Sequence, residues 1–140
     1  MTKLVWYRND LRTHGHSPLT AAMDGDASVR AVYCLCSEQW RGHGVASVRQ
    51  AYVLQSLLEL NDRLAQLGVP LDVLDCGDFA HVPVHLHAYC RQHAITDIYC
   101  NREHPLNERR RDRAVRDTVQ DLPLRLHGFD DGELMPPQAL

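Results

Sequence analysis

The sequence predicts an α/β fold in three layers, with a five-stranded parallel sheet between helices. Three observations carry this reading. Short apolar runs alternate with longer stretches of helical spacing from residue 3 to residue 127, and strand, helix, strand repeated in this way implies crossover connections and parallel pairing. The first two runs are nearly continuous in apolar content, as central strands covered on both faces are. The third and fifth runs carry Pro70 and Pro123, which an edge strand tolerates and a central one does not. These features make a Rossmann-like sheet in the order 3-2-1-4-5, with right-handed crossovers.

The predicted strands are residues 3–8 (KLVWYR), 29–36 (VRAVYCLC), 70–76 (PLDVLDC), 95–100 (ITDIYC) and 122–127 (LPLRLH). The last alternates Leu122, Leu124 and Leu126 against Pro123, Arg125 and His127, and Leu71, Asp72, Val73 alternate similarly in the third. The clearest helix lies between strands 2 and 3. Ser47 with Gln50 makes a capping box, and Leu54, Leu57, Leu58, Leu64 and Leu67 recur at helical spacing until Gly68 and Pro70 end it. Ser17-Pro18 opens another helix, with serine as cap and proline in the first turn, where its missing N–H costs nothing. Helices over 83–93 and 107–120 complete the set.

One hundred and forty residues make one domain. With 44% hydrophobic residues, 24% charged residues and a formal charge of −3, the chain has no global basic excess with which to capture nucleic acid or a membrane surface. The absence of a long apolar run or an apolar leader points to the cytoplasm. Five cysteines, Cys34, Cys36, Cys76, Cys90 and Cys100, have no C-x-x-C spacing. They read as small buried hydrophobes in a reducing compartment.

Ligands of such sheets sit beyond the carboxyl ends of the strands. The first strand runs there into Arg8, Asp10 and Arg12, which on composition alone form a solvated ion-pair cluster shaping the first loop. No nucleophile or second acid pairs with Asp10 to make it catalytic. The loop lacks G-x-G-x-x-G and a Walker pattern, which argues against the usual phosphate cradle. The GHG at 42–44 reads as a loop. His81, His85 and His87 are interrupted by Pro83 and lack a fourth ligand, which argues against zinc. In ERRRDRAVRD, residues 108–117, acids offset the arginines and Asp112 to Arg116 is an i, i+4 pair, as on a solvated helix face.

VWYRNDLRTHGHSPLTAA at the start of the chain resembles the opening of the DNA photolyase and cryptochrome family. QWRGHGVASVRQAY at 39–52, YCNREHPLNERRRDRAV at 99–115 and GFDDGELMPPQAL at 128–140 agree with that family in order and spacing. The resemblance implies the N-terminal α/β antenna domain, residues 1–128, of a photolyase most like the bacterial folate-type enzymes that reverse cyclobutane pyrimidine dimers. Residues 129–140 would begin a linker to a helical domain that carries FAD and binds damaged DNA. The implied parent is a monomeric deoxyribodipyrimidine photo-lyase. The 140 residues alone are not expected to repair DNA.

In the folate-using branch the antenna is methenyltetrahydrofolate, held by an N-E-R segment that is Asn107, Glu108 and Arg109 here. His43 in QWRGH matches a further contact, and the family's Y-E-V before N-E-R reads His104-Pro105-Leu106. The resemblance therefore implies His43, Asn107 and Glu108 as antenna ligands. The chemistry stands on its own: a pterin presents two neighbouring N–H donors, and a carboxylate accepts both at once. A negative charge in the first turn of a helix is also stabilising by roughly 0.3 to 1 kcal/mol, so Glu108 has a purely helical reading too. The alternatives of another class are a stand-alone nucleotide-binding or signalling module and a cryptochrome photoreceptor fragment.

Overall fold

The computed structural model describes residues 1–38, 47–103 and 106–131. Five strands form one sheet: β1 Thr2–Tyr7, β2 Ser28–Leu35, β3 Leu71–Asp75, β4 Ile95–Asn101 and β5 Arg125–Phe129. Their order is β3-β2-β1-β4-β5 and every pairing is parallel. Both proline-bearing segments lie at the edges, with Pro70 directly before β3 and Pro123 two residues before β5. Pro70 contributes only its carbonyl, which accepts the Ala31 N–H at 2.8 Å.

Among the described residues the sheet is covered by the helices α1 Ser17–Ala22, α2 Ser47–Gln66, α3 Val82–Gln92 and α4 Leu106–Val119. A 3₁₀ turn, Phe79–His81, leads into α3. Strand alternation sends Leu4, Trp6, Val32 and Ile98 to one face, where they meet Val82, Leu86, Tyr89 and Cys90 of α3 and Val115 and Val119 of α4. It sends Val5, Tyr7, Ala31 and Tyr99 to the other, against Leu19 and Ala22 of α1 and Leu60 and Leu64 of α2. Leu4, Val5, Val32, Leu64, Leu86 and Ile98 are fully enclosed, and burial of each such side chain contributes about 1.5 to 3 kcal/mol.

Three local expectations change. The fifth strand starts three residues later than the leucine alternation suggests: Leu122 and Leu124 lie in the approach to it, packed against the core from outside the sheet. In α2 the buried residues are Leu57, Leu60 and Leu64, whereas Leu54, Leu58 and Leu67 are exposed. One narrow stripe suffices to seat a helix on a sheet, so the extra leucines face outward. Cys36, Cys76 and Cys90 are buried as expected, and Cys34 and Cys100 are half-buried.

The third change is at α1, whose cap is His16 rather than Ser17. His16 has extended backbone, and its Nδ1 accepts the Leu19 N–H at 3.1 Å. Its Nε2 therefore carries the proton that is donated to Asp10 at 2.5 Å. The imidazole stacks on Tyr7 with centroids 4.6 Å apart. Asp10 also accepts from the Arg8 N–H at 2.9 Å and from Asn101 Nδ2 at 2.7 Å. Asn101 Oδ1 in turn accepts the Asp131 N–H at 3.1 Å. Asp131 receives the Ser17 N–H at 2.6 Å and the Ser17 hydroxyl at 2.5 Å. The predicted cap serine is thus the donor in a contact with a residue 114 positions away.

This chain of bonds joins the end of β1, the start of α1, the end of β4 and the residue two past β5. Burial alone would raise the Asp10 pKa, but the bonds from His16, Arg8 and Asn101 outweigh it and bring it from 3.8 to about 2. A depressed acid stabilises the fold fully above its unfolded pKa and loses that contribution as pH falls through its folded value. Replacing Asp10 by Asn should therefore cost roughly 2 kcal/mol at neutral pH. Urea denaturation at a series of pH values should show the gap between wild type and D10N constant above about pH 5 and closing between about pH 4 and pH 2. A gap that stays open at the acid end would remove the carboxylate from this role.

Candidate functional site

The carboxyl ends of β1 and β4 and the start of α4 form the rim where a sheet of this kind receives ligands. Arg8 follows β1 directly and is only 5% exposed, so it does not belong to a solvated cluster. Its Nη1 meets Asp112 Oδ1 at 2.5 Å, and its Nε lies 3.6 Å from Glu103 Oε1. Arg111 is similarly enclosed, at 9% exposed. It donates to Glu103 at 2.6 Å and to Asp112 at 3.3 Å. Asn9 Nδ2 donates to the other Glu103 oxygen at 3.0 Å. Both guanidiniums lie over the Trp6 ring, at 4.4 and 5.3 Å, and Arg111 also lies 4.9 Å from the Phe79 centroid.

The result is a closed set of two cations and two anions on an aromatic floor. Burial by itself would lower the Arg111 pKa, but the charges of Glu103 and Asp112 reverse that and raise it. The ERRRDRAVRD helix is therefore not a solvated face throughout. Arg111 and Asp112 point inward, and Asp112 pairs with Arg8 and Arg111 rather than with Arg116. The inward turn follows from helix geometry, because Arg111, Val115 and Val119 recur at i, i+4, i+8 and all three are buried.

Glu108 stands in the first turn of α4. It is half-buried, and among the described residues no cation or donor engages its carboxylate. Asn107 is the second residue of the same helix, so the two antenna candidates are adjacent at the rim. His43, with the GHG stretch at 42–44, lies outside the described residues. His81 and His87 bond separately to Asp78 and Asp121, and no group of three His, Cys, Asp or Glu side chains converges on a metal position among the described residues. No helix among the described residues is long and apolar enough to cross a membrane.

Several residues that organise this rim carried no periodic signal. Glu103 sits in the connection before α4, and Asn101 ends β4 directly after the apolar Ile98, Tyr99 and Cys100. A polar residue closing such a run is the one local hint, since a buried amide needs partners. Arg111 and Asp112 were hidden in a run of mixed charge, five arginines against three acids.

Residues 3–140 match the family model for DNA photolyase. The deoxyribodipyrimidine photo-lyase of Salmonella typhimurium is 35% identical over 140 residues, covering 99% of this chain and 29% of that protein. Among solved structures, a cryptochrome from Synechocystis superposes with a TM-score of 0.80 at 29% identity, over 92% of this chain and 27% of that one. An archaeal photolyase from Sulfolobus tokodaii superposes with a TM-score of 0.85 at 22% identity, over 100% of this chain and 32% of that one, and supports the fold alone. The chain thus spans less than a third of the length of these relatives, as their N-terminal portion. With its sheet order, its rim and a family match that runs almost from end to end, the chain belongs to the DNA photolyase family.

Proposed function

We propose that this chain is the antenna-binding domain of a light-driven DNA repair photolyase, and that Glu108, with Asn107 and His43, holds a folate antenna of the methenyltetrahydrofolate type. The observation that carries the reading is the state of Glu108. Of the carboxylates around α4, Glu103 and Asp112 are taken up by Arg8 and Arg111, while Glu108 is half-buried at the rim with no partner among the described residues. A carboxylate left free in this position suits the paired N–H donors of a pterin edge. When bound, the folate would supply absorption of light and transfer of that energy. The chain's own residues bind and orient it, and take no part in bond cleavage.

The remainder of the protein would hold FAD, bind damaged DNA and reverse cyclobutane pyrimidine dimers. Repair is favoured over signalling by the curated relative at 35% identity, a deoxyribodipyrimidine photo-lyase. The outer face of α2 supports a covering domain. Tyr52 is 72% exposed and Leu58 63%, with Val48 and Leu54 beside them, and exposed apolar side chains grouped in this way mark an interaction surface. The occupant is the remaining two-thirds or more of the protein, attached through residues 129–140.

In the full-length protein, Glu108→Ala should weaken folate binding by roughly tenfold or more, because the pterin donors lose their acceptor at a cost of about 1 to 3 kcal/mol. Repair under light absorbed by flavin alone should stay near wild type, and thermal stability should change little. A folate titration paired with repair rates checks both arms. Unchanged affinity would reduce Glu108 to a helix-start charge.

The 140 residues by themselves should purify colourless and show no light-driven dimer reversal, because the sequence has no G-x-G-x-x-G or Walker pattern to bind flavin. An absorption spectrum and a dimer-reversal assay suffice. A yellow protein with stoichiometric flavin would overturn the division of labour.

A further inference from the structure

A cleft of about 400 Å³ opens between β4, β5 and α4 on the face that carries Trp6. We propose that it binds a phosphate or pyrophosphate group. Five arginines, Arg8, Arg102, Arg109, Arg113 and Arg116, line it against two carboxylates, Glu103 and Asp112. Both carboxylates are already shared between Arg8 and Arg111. Arg109, Arg113 and Arg116 project from one side of α4 at i, i+4 and i+7, and none has a carboxylate partner among the described residues. A concentration of positive charge in a chain whose net charge is −3 is a local feature of this cleft and not of the surface as a whole.

Two further observations indicate a formed site. Arg8, in the wall, is only 5% exposed, and its Nε and Nη2 have no hydrogen-bond acceptor among the described residues. Those two nitrogens have almost no accessible surface, so Arg8 backs the wall electrostatically and the exposed arginines make the contacts. Arg102 is held across β5 by a glycine. A Cβ at Gly128 would come within 2.9 Å of Arg102 Nε, so the side chain lies in space that only glycine leaves open. Arg102 is anchored further by Asp130, at 2.8 Å from Nη1.

The chemistry selects phosphate. Planar guanidiniums match pairs of phosphate oxygens. The aromatic rings lining the cleft are already engaged: Trp6 by Arg8 and Arg111, and one face of His127 by Tyr99 at 4.5 Å. The group read is therefore the phosphate itself, with the rest of any ester projecting to solvent.

The test is calorimetric titration of the chain with pyrophosphate, adenosine diphosphate and adenosine at constant ionic strength. Saturable binding of pyrophosphate is expected, with adenosine diphosphate equal to it within a few-fold and adenosine inert. The R113Q/R116Q double variant should lose roughly tenfold or more in affinity. Gly128→Ala, which displaces Arg102, should weaken binding several-fold, and Arg91→Gln on α3 should leave it unchanged. Circular dichroism confirms that each variant is folded. Absence of saturation in the low-millimolar range, an R113Q/R116Q affinity equal to wild type, or an equal loss in R91Q would overturn the site. Much tighter binding of adenosine diphosphate than of pyrophosphate would overturn the claim that phosphate is what the cleft reads.

Discussion

The carboxylate of Asp10 is the point on which the rim of this domain depends. A parallel sheet brings the carboxyl ends of its strands together, and each strand there must release its chain into a loop without stranding buried polar groups. Asp10 meets that requirement for three segments at once. It accepts the Arg8 N–H just past β1, the imidazole that caps α1, and the amide that ends β4. The Asn101 amide then passes the connection to Asp131 and so to the first residue of α1. The turns after β1, β4 and β5 are therefore held in one arrangement by bonds between residues 91 and 114 positions apart.

That arrangement explains how charge is distributed around α4. The helix presents its residues to three environments. Arg111 and Asp112 turn inward and, with Arg8 and Glu103, close an ion network over Trp6. Removing one member of such a buried set leaves an uncompensated charge, which is why the set holds together as a unit. Glu108, at the start, remains outside the network. Arg109, Arg113 and Arg116 face the cleft beside β5. One short charged helix thus contributes to an internal ion network, to a basic wall, and a rim carboxylate, Glu108, that has no partner among the described residues.

The two faces of the sheet are unequal in their covering. α3 and α4 close one face with buried side chains from both helices. On the other, α2 is twenty residues long but buries only Leu57, Leu60 and Leu64, and its apolar outer residues stay exposed. Exposed apolar side chains grouped on one helix mark an interaction surface.

Much of the architecture was legible in the sequence because it rests on local, repeated signals. The five apolar runs, the helical spacing between them, the edge positions of the proline-bearing strands and hence the sheet order are all consequences of side-chain period and backbone sterics. The position of Glu108 in a first turn was legible for the same reason, since N-terminal turns favour acids. Family membership was legible in motifs such as VWYRNDLR, whose charges looked like a solvent-facing cluster. Only the tertiary structure decided what those charges do. Arg8 is buried because Asp112, 104 residues away, and Trp6 beneath it replace water around its guanidinium. The cap of α1 is His16 because Asp10 orients its ring while Asp131 engages Ser17. No window of neighbouring residues contains both members of such pairs, so hydrophobic period determined the layers, and long-range pairing of polar groups determined the rim.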